Sequence, residues 1–217
     1  MSQEIVFYTH PMSRGRIVRW MLEEVGAPYR TVLLDYGGTM KAPDYLAINP
    51  MGKVPALTHG GVVVTECAAI CAYLADAFPQ AGLAPPPGDP ARAAYYRWLF
   101  FAAGPVEAAV TDKALGVRIP PGREAMAGYG GFDRMVDVLE GAAASGDYLA
   151  GGRFSAADVY VGSQIAWGVQ FGSIEARPAF SRYVERITAR PAYIRASQID
   201  DALVAEPAAA KETSGGA

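Results

Sequence analysis

Cysteine and histidine are nearly missing from this chain, with two of each in 217 residues. Cys67 and Cys71 stand four apart on what reads as one helix, where neighbouring Cβ atoms lie about 5–6 Å apart. A disulfide needs about 3.8 Å, so an intrachain bridge would distort that helix. No Cys-x-x-Cys or Cys/His cluster points to zinc or a dithiol centre. His10 and His59 have no partner at a spacing that suggests a metal site or a triad, so no metal is expected. Excess positive charge is missing too. The net charge of −3 offers no footprint for nucleic acid, whose phosphates call for clustered Lys and Arg. No run of about 18 uninterrupted apolar residues occurs, and the start MSQEIVFY lacks the basic segment and apolar run of a signal peptide. The expectation is a cytoplasmic protein with neither nucleic-acid nor membrane partners.

What is present fits an ordinary globule: 51% apolar and 19% charged residues, too much apolar material for a disordered chain. Length alone allows one large domain or two smaller ones. Residues 5–8 form a short apolar run before a turn at Pro11, and from Arg16 the pattern is helical, with Ile17, Trp20, Met21 and Leu22 on one face. After the Gly26-Ala27-Pro28 stop, residues 29–34 read as a strand, completing a βαβ unit with parallel strands. Residues 44–48 make at most a short helix. Strands at 55–58 and 62–64 form a hairpin, and 66–78 is a helix, giving the order β-α-β-α-β-β-α.

Residues 79–90 hold five prolines and almost no periodicity, the composition of a stiff linker. Beyond it strand signals nearly vanish, and 90–116, 123–145, 155–171 and 178–190 read as helices. The expected domains are therefore 1–78, a linker at 79–90 and an all-α domain over 91–205, with a disordered tail at 206–217. Gly128, Gly130 and Gly131 weaken the second of these helices by roughly 1 kcal/mol each relative to Ala, which suggests close packing or a bend. Ser155 and Asp158 match a capping-box spacing after Phe154, a candidate hydrophobic staple.

The most informative stretch is NPMGKVPAL at 49–57, followed after Gly60-Gly61 by VVVTECAAI at 62–70. Pro55 sits at a strand start, where proline is tolerated and the preceding bond is open to the cis form. That leaves a free backbone edge at Val54. The helix after Glu66 begins with N–H groups that have no helical partner, and such a terminus attracts a carboxylate. Glu66 itself can bind an ammonium. An extended small peptide carrying both groups, as glutathione does, would fit. Each residue has a plainer reading as well: Pro55 as a loop end, Lys53 as a surface lysine, Glu66 as a helix-dipole partner.

With these segments in order, the chain resembles the glutathione transferase family. The resemblance covers residues 4 to about 200 and rests on KVPAL, TECAAICAYL and DYLAGGRFSAADVY. It implies a thioredoxin-like α/β N-terminal domain followed by an all-helical domain, working as a cytosolic homodimer of the bacterial type. It also implies a glutathione site that includes Pro55, with Val54 supplying backbone bonds to the cysteinyl part of glutathione. Glu66 and the backbone of Cys67 would hold the γ-glutamyl part, and Lys53 would reach the glycyl carboxylate. The family usually has Ser after the acidic residue, so Cys67 replaces a hydroxyl donor by a weaker thiol.

The first loop should place a group beside the sulfur, and Tyr8, Thr9, His10 and Ser13 are the candidates. FYTHPMSRGR resembles the serine-using branches, similar to the theta and phi classes, which favours Ser13 with Tyr8 as runner-up. Arg14 or Arg16 would add positive charge if either turned inward. An apolar electrophile is expected in a pocket between the domains, with Tyr95, Trp98, Phe101 and Trp167 as candidate lining or plain core. Cys71 reads as a small buried residue. The expected activity is attack of glutathione thiolate on a small apolar electrophile, in a detoxifying role. Two alternatives are a glutathione-dependent disulfide or peroxide reductase using Cys67, and a non-enzymatic interaction protein with the same fold.

Overall fold

A computed structural model describes residues 4–205, and the expected tail at 206–217 lies outside the described residues. Two compact units divide the chain: residues 4–70 with 191–205, and residues 71–190.

In the first unit, β1 (Ile5–Thr9) is the inner strand, and its Ile5, Val6 and Phe7 are all buried. Strand β2 (Tyr29–Leu33) runs parallel to β1, with Ile5 opposite Tyr29. Helix α1 (Gly15–Val25) makes the crossover and buries Ile17, Val18, Trp20, Met21 and Leu22, the face that periodicity predicts. It stops at Gly26, whose left-handed backbone donates to Leu22 O. After a one-turn helix α2 (Pro43–Leu46), β3 (Ala56–His59) pairs antiparallel with β1, and β4 (Val62–Thr65) antiparallel with β3. The sheet order is β2-β1-β3-β4. Helix α3 (Cys67–Ala77) follows at once, so the expected β-α-β-α-β-β-α order holds.

The division between the units falls within α3 and not in the proline-rich segment. That segment is anchored in the second unit: Leu83 is buried and its carbonyl accepts from Ala156 N at 2.8 Å. The second unit is helical throughout. Residues 90–116, expected as one helix, are α4 (Ala91–Phe101), a π-helical turn (Ala102–Val106) and α5 (Glu107–Leu115). Pro105 sits in the π turn, where its missing N–H breaks the regular ladder. The helix expected over 123–145 is shorter: α6 begins only at Phe132 and runs to Ala144. The three glycines before it have nothing near their Cα hydrogens, and Gly130 turns the chain with φ +69°, so the segment bends without close packing. Close packing occurs instead at Gly162 of α7 (Ala156–Gln170), where an added Cβ would lie 2.1 Å from Ile187 Cδ1 of α8 (Pro178–Thr188).

Helix α7 is buried along nearly its whole length, as a helix apolar on every side must be. Ser155 and Asp158 form the expected capping box. Tyr95 and Trp98 of α4 are buried core, and Trp98 meets Phe101 edge-on. A ninth helix, which periodicity did not reveal, closes the described chain: α9 (Pro191–Ala205) packs on α1 as part of the first unit. Among the described residues no helix is long and apolar enough to cross a membrane.

Candidate functional site

The loop between β1 and α1 is tied together by its own polar groups. Ser13 Oγ donates to His10 O at 2.6 Å and accepts from Gly15 N at 2.9 Å, a serine turn that opens the helix. Met12 N donates to His10 Nδ1 at 3.1 Å. The His10 ring lies 4.6 Å from that of Tyr36, whose hydroxyl donates to Met12 O at 3.0 Å. His10 is therefore occupied in shaping the loop. Thr9 is fully buried beneath it.

Tyr8, the runner-up for the reacting group, packs against a cluster of Leu34, Met40, Tyr45 and Ala56, its ring tilted at 5.7 Å from that of Tyr45. Its ring thus belongs to the packing under the neighbouring 53–55 segment. Burial pushes the Tyr45 hydroxyl up to about 12, and as a neutral donor it binds Lys53 O.

Lys53 O also accepts from Asn49 Nδ2 at 2.7 Å, while Asn49 Oδ1 accepts from Met51 N at 3.1 Å. Lys41 Nζ donates to Gly52 O at 2.7 Å. Three side chains thus fix the backbone leading to Val54, and the Val54–Pro55 bond is cis. Neither Val54 N nor Val54 O has a hydrogen-bond partner among the described residues. The free edge expected from the sequence is there, with the Lys53 side chain exposed beside it.

Glu66 is the one described non-glycine residue with positive φ, at +66°. A side chain in this conformation costs roughly 1–2 kcal/mol, and such strain gathers where function needs a particular direction. The sequence offered no sign of it, and the helix expected from 66 starts one residue later. Glu66 is exposed, and its carbonyl accepts the first helical bond from Ile70 N at 2.9 Å.

Cys67 then joins the two halves of the site. Its thiol is buried and donates to Arg14 O at 3.7 Å, so the start of α3 lies against the start of α1 across 53 residues of sequence. Ser13, Glu66 and Cys67 are brought together, and two helix N-termini converge there with their partial positive charge. Cys71 is fully buried. Arg16 also turns toward the loop, with Nε on Pro11 O at 2.6 Å.

Gly15 permits the start of α1 to lie close against Thr9 and Ser13. An added Cβ there would lie 1.8 Å from Thr9 Oγ1 and 3.0 Å from Ser13 Oγ. Gly15→Ala is expected to lower stability by about 1–3 kcal/mol, the usual cost of overpacking, in a denaturant titration. Adding Thr9→Ala, which removes the clashing oxygen, should recover part of the loss. A single variant as stable as the parent would sink the crowding argument.

Comparison with known proteins identifies the family. The family model for the glutathione S-transferase N-terminal domain matches residues 12–77, and that for the C-terminal domain matches residues 108–186. Glutathione S-transferase 3 of Zea mays is 30% identical over 199 residues, covering 86% of this chain and 90% of its own. A glutathione transferase crystal structure from Methylococcus capsulatus superposes with a TM-score of 0.75 at 30% identity, covering 91% of this chain and 99% of that one. A sphingomonad glutathione S-transferase complexed with glutathione does so with a TM-score of 0.74 at 30% identity, covering 90% and 98%. The chain belongs to the glutathione S-transferase family, and its activity is that of a glutathione transferase.

Proposed function

We propose that glutathione lies extended along residues 53–55 and that Ser13 stabilises its thiolate. The observation that carries this reading is the contact of Cys67 with Arg14, which brings the acidic helix start against the Ser13 loop. Val54 N–H and C=O pair with the cysteinyl backbone of the ligand. The Glu66 carboxylate takes the γ-glutamyl ammonium, and the backbone of Cys67, where α3 opens, takes its carboxylate. Lys53 reaches the glycyl carboxylate. The solved sphingomonad relative with bound glutathione supports this choice of ligand.

A free thiol titrates near pH 8.5, so only a few per cent is thiolate at neutral pH. Lowering that value by about two units takes about 2.7 kcal/mol of preferential interaction with the anion. The Ser13 hydroxyl and the positive end of α1 contribute to it. The thiol proton leaves to solvent, and the thiolate sulfur then forms a carbon–sulfur bond with a small apolar electrophile, either displacing a leaving group that departs with its bonding pair or adding to a polarised double bond whose displaced electron pair takes up a proton from solvent. Ser13 acts as a donor throughout and not as a base; Tyr8 and Pro55 shape the floor and edge of the site. In this reading residues 1–78 carry the glutathione site, and the protein is a cytoplasmic homodimer, supported by membership of the family.

Calorimetric titration with glutathione and with S-methylglutathione tests the site without needing the electrophile. Both should bind saturably, and Glu66→Ala should weaken binding by at least about tenfold, the loss of one charge-assisted contact of about 1.5–3 kcal/mol. Absence of binding at millimolar glutathione, or an unchanged Glu66→Ala variant, would overturn the assignment.

A further inference from the structure

The Ser13 loop is held from a direction that glutathione recognition does not explain. Arg16, in the first turn of α1, uses its planar guanidinium twice: Nε donates to Pro11 O at 2.6 Å, and Nη2 to Asp201 Oδ1 of α9 at 2.8 Å. One turn further along α1, Arg19 Nε donates to Asp200 Oδ1 at 2.8 Å, with 2% and 1% of these side chains exposed. Arg19 Nη1 also reaches Tyr29 Oη and Thr31 Oγ1, at 3.2 and 3.3 Å. Two successive carboxylates of one helix therefore hold two arginines three residues apart on another, and one of those arginines grips the loop that carries Ser13.

The two pairs differ in character. A buried ion pair such as Arg19–Asp200 adds little net stability, yet removing one partner leaves a costly lone charge, so it fixes position more than it strengthens the fold. The Arg16–Asp201 pair has 28% and 67% of its side chains exposed, and a pair this open contributes little to stability. Its effect is geometric. A free arginine samples many rotamers, whereas Asp201 holds the fork in the one that spans Pro11 O, two residues before Ser13.

We propose that α9 is a strut for the thiol-activating loop: Asp200 seats the helix on Arg19, and Asp201 holds Arg16 across the Pro11 carbonyl, which aims the Ser13 hydroxyl. Arg16 and Asp201 are positioning residues, and the inference rests on the Ser13 reading above. The sign of the effect separates positioning from plain electrostatics. Removing the Asp201 charge leaves Arg16 less neutralised, which by charge alone favours the thiolate and lowers the thiol pKa. Losing the aim of Ser13 raises it.

The test titrates the thiol of glutathione bound to the full-length enzyme, by thiolate ultraviolet absorbance against pH, in the parent, Ser13→Ala, Asp201→Asn and Asp201→Glu. Asp201→Asn should raise the thiol pKa by about 0.5–1 unit, or about three- to tenfold less thiolate at a fixed pH. Glutathione affinity and melting temperature should stay near the parent values, and Asp201→Glu should restore the parent titration. An unmoved or lowered pKa in Asp201→Asn, beside a raised one in Ser13→Ala, overturns the strut and leaves Ser13 standing. An unmoved pKa in Ser13→Ala overturns the Ser13 reading, and the strut with it.

Discussion

Ser13→Ala is expected to lower turnover by about 10- to 100-fold, equivalent to roughly 1.4–2.7 kcal/mol, while glutathione affinity changes by less than about threefold. The split follows from where the hydroxyl sits. Its proton points at His10 O and its lone pair accepts Gly15 N–H. When a thiolate arrives, the proton can swing from the carbonyl to the stronger, charged acceptor, while Gly15 N–H continues to polarise the oxygen. The contacts proposed for the rest of the tripeptide, at Val54, Glu66 and Cys67, do not involve Ser13, so binding survives its loss. What is lost is an interaction stronger for the charged sulfur than for the neutral one, and such a loss appears in turnover more than in affinity. Ser13→Thr keeps the hydroxyl and should retain more activity than the alanine variant. Equal turnover in Ser13→Ala would remove Ser13 from the mechanism.

The second large effect is on stability, at Asp158. This fully buried carboxylate accepts four hydrogen bonds: Oδ1 from Leu149 N at 2.9 Å and Tyr183 Oη at 2.8 Å, and Oδ2 from Ser155 N and Ser155 Oγ, both at 2.9 Å. It thereby caps α7, anchors the preceding turn and reaches α8. Burial pushes its pKa up, and the hydrogen bonds from Leu149, Tyr183 and Ser155 oppose that rise. Asp158→Asn keeps the shape but turns an amide N–H₂ toward one pair of donors. The hydroxyl of that pair can turn to accept from the amide, but its backbone N–H, from Leu149 or Ser155, then lacks an acceptor, so the expected loss is roughly 1–3 kcal/mol. A denaturant titration would show it as a lower midpoint with an unchanged slope. A loss below about 0.5 kcal/mol, within the ordinary range for a surface change, would mean that the network does not carry the second unit.

Much of the first unit was legible in the sequence because its elements are punctuated. Gly26-Ala27-Pro28, Gly60-Gly61 and the apolar runs between them fix strand and helix order by local chemistry alone. The loop, the Val54 edge and the acidic helix start were legible for the same reason. The contact between Cys67 and Arg14 was not, since no local pattern records a meeting across 53 residues. Helix α9 was missed because its inward face is Ala192, Ala196 and Asp200, small and charged where an apolar stripe is the usual sign. The i, i+4 spacing and Pro191 at the first turn were the signals available. Residues 123–131 were over-read as helix: Glu124, Ala125 and Met126 favour one, but make only a single 3₁₀ turn before the glycines intervene.

The placement of α9 bears on how this chain emerges from a ribosome. Residues 71–190 are continuous in sequence and can fold as they are made, whereas the sheet unit is assembled from residues 4–70 and 191–205. Arg19 is synthesised long before Asp200, its buried counter-ion, and the first unit waits for nearly the whole chain to complete the pair. Such distant pairing slows folding and prolongs exposure of unfinished surface. A fragment cut after residue 70 would inherit the same defect permanently. Separate expression of the sheet unit therefore calls for residues 191–205 to be grafted back onto it, and a single cut in the chain cannot yield two whole halves.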